Sequence, residues 1–163
     1  MAHKSQIPPA SRPHVPGYGI QGPGAGDGLL PWSFVSERMA AARNYWVHTT
    51  RPDGRAHAAP VWGLWHEGRF YFSTGAASRK GRNIAANPHV VVHLESGDEV
   101  VIFEGRVELV EDKALLAALD KAYKEKYGFP LSGGFRLAPE TAFAWREHDF
   151  PTSATRWQFG ETE

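Results

Sequence analysis

Cysteine is missing from this 163-residue chain, which excludes a disulfide framework, a thiol nucleophile and any cysteine-ligated metal. Net charge is missing too. Eighteen Lys and Arg cancel eighteen Asp and Glu, so no long-range field draws the protein to nucleic acid or an anionic membrane, and any anion site must be a local patch. No apolar run approaches the ~20 residues of a membrane span, and none of signal-peptide length follows the early lysine in Met1-Ala2-His3-Lys4. A soluble cytoplasmic protein with no membrane or nucleic-acid partner is the expectation. Among the eight histidines, His3 and His14 lie near the N-terminus, and His48, His57, His66, His89, His93 and His148 show no paired ligand spacing on one element. No metal site is expected from them. His48 and His57 are positioned to face each other across a hairpin, where either is a candidate substrate contact, with a structural role as the simpler reading.

A chain of this size with 42% hydrophobic residues is enough for one core. Residues 1–31 are dominated by Pro and Gly, as in Pro16-Gly17-Tyr18-Gly19 and Gly22-Pro23-Gly24-Ala25-Gly26. That composition predicts a flexible arm, because it cannot repay its own ordering entropy. The folded domain is expected over residues 32–163, opening with a short helix from Trp32 that has Ser33 as N-cap.

Aromatic and β-branched residues then alternate. Asn44 to Thr50 and Arg55 to His66 flank the turn Arg51-Pro52-Asp53-Gly54, and Glu67-Gly68 leads into Arg69 to Thr74, so three antiparallel strands form a meander. A short helix over Ser78 to Asn87 is stopped by Pro88, and strands follow over Val90 to Leu94 and Val100 to Val110. Asp112 caps a helix in which Leu115, Leu116, Leu119, Ala122 and Tyr123 recur at helical spacing, ending at Gly128. Phe135 to Leu137, Thr141 to Arg146 and Thr155 to Phe159 supply the last strands. Many short antiparallel strands with few helices predict a mainly β protein, a closed or nearly closed barrel.

The strand-to-helix junction Ser73-Thr74-Gly75-Ala76-Ala77-Ser78-Arg79-Lys80-Gly81-Arg82 combines hydroxyls, a glycine loop and cations. Free N–H groups at a helix start and charge-assisted contacts from Arg79 and Lys80 suit a phosphate. The alternative is a capped surface helix with solvated basic residues. Two details favour the anion: cations at a helix N-terminus oppose the helix dipole unless something neutralises them, and Gly81 sits where Ala would stabilise a helix by ~1 kcal/mol. No P-loop and no dinucleotide fingerprint is present. The acids Glu95, Asp98, Glu99 and Glu104 surround a hairpin turn and are assigned no catalytic role; Trp62 is the aromatic best placed to wall a flat ring.

The ordered series Asn44-Tyr45-Trp46, Thr50-Arg51-Pro52-Asp53-Gly54-Arg55, Ala59-Pro60-Val61-Trp62-Gly63, Tyr71-Phe72-Ser73-Thr74-Gly75, Ser78-Arg79-Lys80 and Asn83-Ile84-Ala85-Ala86-Asn87-Pro88 resembles the pyridoxamine 5'-phosphate oxidase-like superfamily. The branch it most resembles holds FMN proteins and coenzyme F420-dependent reductases. The resemblance implies an FMN-binding type of split β-barrel, antiparallel and Greek-key-like, that forms a homodimer with cofactor sites at the interface. It further implies a flavin- or deazaflavin-dependent oxidoreductase that binds FMN, or alternatively F420, and exchanges hydride with a small planar substrate. In that reading Ser78, Arg79 and Lys80 hold the phosphate, Pro60, Val61 and Trp62 line the ring, and Ser73 and Thr74 contact the ring or ribityl chain. Arg156 and Trp157 come to the cofactor from the partner subunit, the alternative being a final barrel strand whose aromatics pack in the core. No catalytic side chain is implied, since the cofactor carries the hydride chemistry. The Phe-Trp-Gln-Gly segment and the C-terminal Arg-Leu-His pattern of true pyridoxamine phosphate oxidases are missing, which argues against vitamin B6 oxidation. The rival reading is a non-catalytic carrier of flavin or tetrapyrrole on the same barrel.

Overall fold

The computed structural model describes residues 6–22, 24 and 26–160. In chain order its elements are β1 (Ala10–Ser11), α1 (Trp32–Ala41), β2 (Asn44–Thr50), β3 (Ala56–His66), β4 (Arg69–Phe72), α2 (Arg79–Ala86), β5 (His89–His93), β6 (Glu99–Leu109), α3 (Lys113–Tyr127), β7 (Phe135–Arg146), α4 (Phe150–Ser153) and β8 (Thr155–Gln158). All strand pairs are antiparallel. The order β7-β4-β3-β2-β5-β6 closes when β6 pairs back onto β7, and β8 and then β1 extend the sheet beyond β7. The expected mainly β barrel is therefore the architecture observed.

Closure follows from period-2 patterning. Along β2, Tyr45, Val47 and Thr49 are buried while their neighbours are half-exposed, and the inward residues of β3 to β7 join them with Val35 and Met39 of α1 in one core. On the outer face, α3 lays Leu119 against Leu64 and Tyr71. Its ends obey local rules. The Asp112 carboxylate accepts from the N–H groups of Ala114 and Leu115, and Gly128 adopts the left-handed conformation after the last turn.

Three expectations change. The segments Phe135 to Leu137 and Thr141 to Arg146 are one strand, because Pro139 sits in a bulge opposite Gly105 and needs no ladder N–H there. A Cβ on Gly105 would run into the Ala138 carbonyl, so the bulge requires glycine. Helix α1 starts at Trp32 behind Pro31, not at a Ser33 cap. Trp32 is anchored by edge contacts with Phe103, Trp157 and Phe159, and this packing outweighs a capping hydroxyl.

Composition also sets residues 1–31 apart from the domain, yet their described part is attached to it. Ala10 and Ser11 pair with Trp157 and Arg156. Arg12 is 2% exposed and donates to the carbonyls of Thr152, Ala154 and Asp27, and Leu30 enters the core. A guanidinium satisfied by three backbone carbonyls is a tertiary device with no local signature. Residues 1–5, 23 and 25 of that stretch, and 161–163 of the expected domain, lie outside the described residues.

Candidate functional site

Strand β4 ends at Phe72, and residues 73–78 turn the chain into α2. Ser78 is the N-cap: its Oγ accepts from the Gly81 N–H at 3.0 Å and donates to the Gly75 carbonyl at 2.6 Å. The Thr74 hydroxyl lies 3.0 Å from the same Oγ. Because the Ser78 proton is committed to Gly75, Thr74 donates within that pair. Ser78 thus builds the turn, and the donors left for a ligand are backbone N–H groups. Those of Arg79 and Lys80 have no hydrogen-bond partner among the described residues.

Gly81 has a reason of its own. A Cβ there would overlap the Gly75 carbonyl oxygen and stand 3.0 Å from the Ala76 Cα. The room expected for a ligand is the room that the chain's own loop occupies, and this lets the loop fold down on the first turn of α2.

The side chains of Arg79 and Lys80 are half-exposed and form no ion pair or hydrogen bond among the described residues. Asp53 feels Arg79, but it is engaged by Arg55, whose backbone N–H and guanidinium (2.9 Å) hold its carboxyl below the usual range. His57 reports the local field. Burial first, and then Arg51, Lys80 and Arg79, push its pKa down, and its Nδ1 is buried without a partner. Burial and three nearby cations together discourage this histidine from charging, so the junction is a site of positive potential. Arg51 is the candidate residue that local reading missed, and His57 stands with it; both come from the β2–β3 hairpin, and only the barrel brings that hairpin to α2.

From His57 the strand β3 leads away from the junction. Pro60 and Trp62 lie on the outer face, whereas Val61 points inward at 8% exposure and can offer a ligand only its backbone. Trp62 stacks on Tyr127 (4.7 Å, 7°), with the Arg43 guanidinium 5.4 Å from both rings. Beside them Lys126 donates to the Tyr45 hydroxyl and the Gly63 carbonyl; burial, with Arg43 nearby, lowers its pKa to about 8. Six residues of strand, ~20 Å, separate Gly63 from His57. Lys126 therefore stands at the far end of the strand from the junction, beside the Trp62–Tyr127 stack.

The remaining candidates are dispersed. Ser73 turns away and donates to the Ser132 carbonyl at 2.7 Å. Trp157 is 1% exposed in the core, its ring centroid 5.2 Å from that of Trp32 in an edge-on contact, and Arg156 donates to Ser11 Oγ at 3.3 Å; neither meets the junction within this chain. His48 and His57 do not face each other. His48 registers with Ala58 and His57 with Thr49, and the His48 ring meets His93 of β5 instead. A cavity of about 690 Å3 lined by Trp32, Trp65, Phe103 and Phe159 opens beside the β3–β4 turn, far from α2. No group of three or more metal-ligating side chains occurs among the described residues.

Comparison with known proteins agrees with the fold. Residues 35–146 match the family described as "Pyridoxamine 5'-phosphate oxidase". A pyridoxine/pyridoxamine 5'-phosphate oxidase of Burkholderia multivorans is 29% identical over 60% of this chain, and the match spans 63% of that relative's length. A conserved hypothetical protein of Mycobacterium tuberculosis superposes with a TM-score of 0.65 at 24% identity, covering 75% of this chain and 88% of that one. The same fold occurs in a heme storage protein of Vibrio cholerae (TM-score 0.58, 18% identity, 68% and 91% covered) and in an F420 reductase (0.50, 24%, 65% and 94%).

Proposed function

Because this chain belongs to the pyridoxamine 5'-phosphate oxidase family, we propose that it is an oxidoreductase binding FMN or the deazaflavin F420, with the cofactor phosphate on α2 and the ring along β3. The observation that carries the reading is the uncompensated charge at the junction. Arg79, Lys80 and Arg51 all act on His57, two backbone N–H groups at the helix start have no partner among the described residues, and neither Arg79 nor Lys80 forms an ion pair there. A ring extending from that point reaches Pro60 and the Trp62–Tyr127 stack. The bound ring supplies the hydride chemistry. The chain's own residues hold the phosphate, seat the ring and exclude water on one side.

We place a second copy of the chain over the other side. The outer face of β2 and β5 carries half-exposed Trp46, Val91 and His93 with no helix paired to it among the described residues, and Arg156 does not reach the junction of its own chain, while Trp157 is committed to the core. A homodimer is the expected result of light scattering on the purified protein, and a monomer at micromolar concentration would remove this part of the reading.

The decisive test is a titration of purified protein with FMN, F420 and haem, followed by absorbance and fluorescence. Micromolar or tighter binding of FMN or F420 is expected. Haem binding with neither of these would establish the carrier reading. Reduction of the bound ring by NADPH or a reduced deazaflavin system, with passage of the electrons to an added acceptor, separates enzyme from carrier. Pyridoxine 5'-phosphate is not the expected substrate.

A further inference from the structure

Two histidines that the cofactor reading leaves unused form a polar pair on the outer face of the sheet. His48 Nε2 and His93 Nε2 are 2.7 Å apart, so one must donate and the other accept. The direction is decided one step away. His93 Nδ1 lies 2.7 Å from the Leu94 carbonyl oxygen, which can only accept, so the His93 proton sits on Nδ1 and its Nε2 is the acceptor. The donor is then His48 Nε2–H. In the neutral pair, His48 Nδ1 is left as a bare acceptor. It has no hydrogen-bond partner among the described residues and is not among the buried unpaired atoms, so it is open to solvent.

Its position is informative. His48 stands opposite Ala58 on β3, and Trp46 stands opposite Pro60. Ala58, small and exposed, is the cross-strand neighbour of His48, Pro60 and Trp62 continue the same face, and the Ser78 to Lys80 junction lies beyond His57. A planar ring on this stretch of β3 covers His48.

We propose that His48 contacts the bound ring, its Nδ1 accepting the ring N–H, in a tautomer dictated by His93 and the Leu94 carbonyl. This rests on the cofactor reading above. Flavin and deazaflavin share a pyrimidinedione edge with one N–H between two carbonyls, and a lone acceptor is the complement of that N–H. His93 acts through His48 and is a positioning residue.

The groups around His48 give the assignment a pH signature. His93 faces it from β5, no ionisable group faces it from β3, and Glu104 lies on β6 beyond Val91. Burial, then His93, lowers the His48 pKa from its ordinary value. Below that pKa, Nδ1 gains a proton, becomes a donor and opposes the ring N–H.

The test is FMN affinity between pH 5 and 8 for the parent, His48→Ala and His93→Ala, with 15N spectra of the imidazoles in the ligand-free protein. The spectra are expected to show His93 protonated on Nδ1 and His48 on Nε2; the reverse assignment would overturn the proposal. His48→Ala should bind FMN about tenfold more weakly at pH 7.5, ~1.4 kcal/mol, and His93→Ala about threefold. Parent affinity should fall with acidity more steeply than that of His48→Ala, which still carries the titration of the FMN phosphate itself. If the parent binds FMN and His48→Ala binds it equally well at every pH, the His48 assignment fails and the cofactor reading stands. If neither FMN nor F420 binds the parent, the cofactor reading fails and takes this assignment with it.

Discussion

The Arg79→Ala, Lys80→Ala double variant is expected to lose at least a hundredfold in affinity for FMN while its melting temperature stays within ~2 °C of the parent. Each side chain supplies a charge-assisted hydrogen bond to the phosphate, worth ~1.5–3 kcal/mol. Hundredfold corresponds to ~2.8 kcal/mol, so even the lower figure for both contacts reaches it. Stability should hardly change, because neither side chain has an ion-pair or hydrogen-bond partner among the described residues, and removing unpartnered surface charge stays within ~0.5 kcal/mol. Relief of the cation cluster around His57 works in the same direction. Two controls locate the loss. Riboflavin, which lacks the phosphate, should bind parent and variant alike, and the salt dependence of FMN binding should be shallower in the variant. Equal FMN affinity in both proteins would place the phosphate elsewhere and refute the role of the junction.

Trp157→Ala should destabilise the protein by ~3–5 kcal/mol, lowering its melting temperature by roughly 10 °C at this chain length. Trp157 is 1% exposed and packs edge-on to Trp32, which in turn touches Phe103 and Phe159. Its removal leaves a cavity under α1 that neighbours held by backbone pairing cannot fill. The same strand carries β1 through the Ala10 and Trp157 pair, so the N-terminal segment should loosen with it. Chemical denaturation measures the loss. The milder Trp157→Phe separates packing from ligand contact: it should retain FMN affinity per folded molecule while costing stability. A loss below ~1 kcal/mol for Trp157→Ala would mean that the side chain is not a core residue.

The stretches that local rules govern were legible in the sequence. Period-2 alternation located β2 and β3, Pro52 to Gly54 marked their turn, and Asp112 and Gly128 marked the ends of α3. The helix start at Ser78 was legible, because a helix start needs only neighbouring residues to form, but its hydroxyl caps the turn where the sequence suggested a phosphate contact. The outcome was different where a distant partner decides. Phe135 to Leu137 and Thr141 to Arg146 looked like two strands and are one, since β6 supplies Gly105 opposite the bulge at Pro139. His48 looked like a partner for His57, but in an antiparallel pair a shift of one residue sends the side chain to the other face, and β5 brings His93 to it.

The junction at Ser78 to Lys80 shows the division most clearly. Residue types alone place a helix start there and put cations where the dipole disfavours them. Long-range contacts explain why Gly81 is required, commit the Ser78 proton to the turn, and bring Arg51 and His57 in from the other hairpin. The reason is range: caps and periodicity act within a few residues, whereas barrel closure and strand register are set by contacts between segments far apart in the chain.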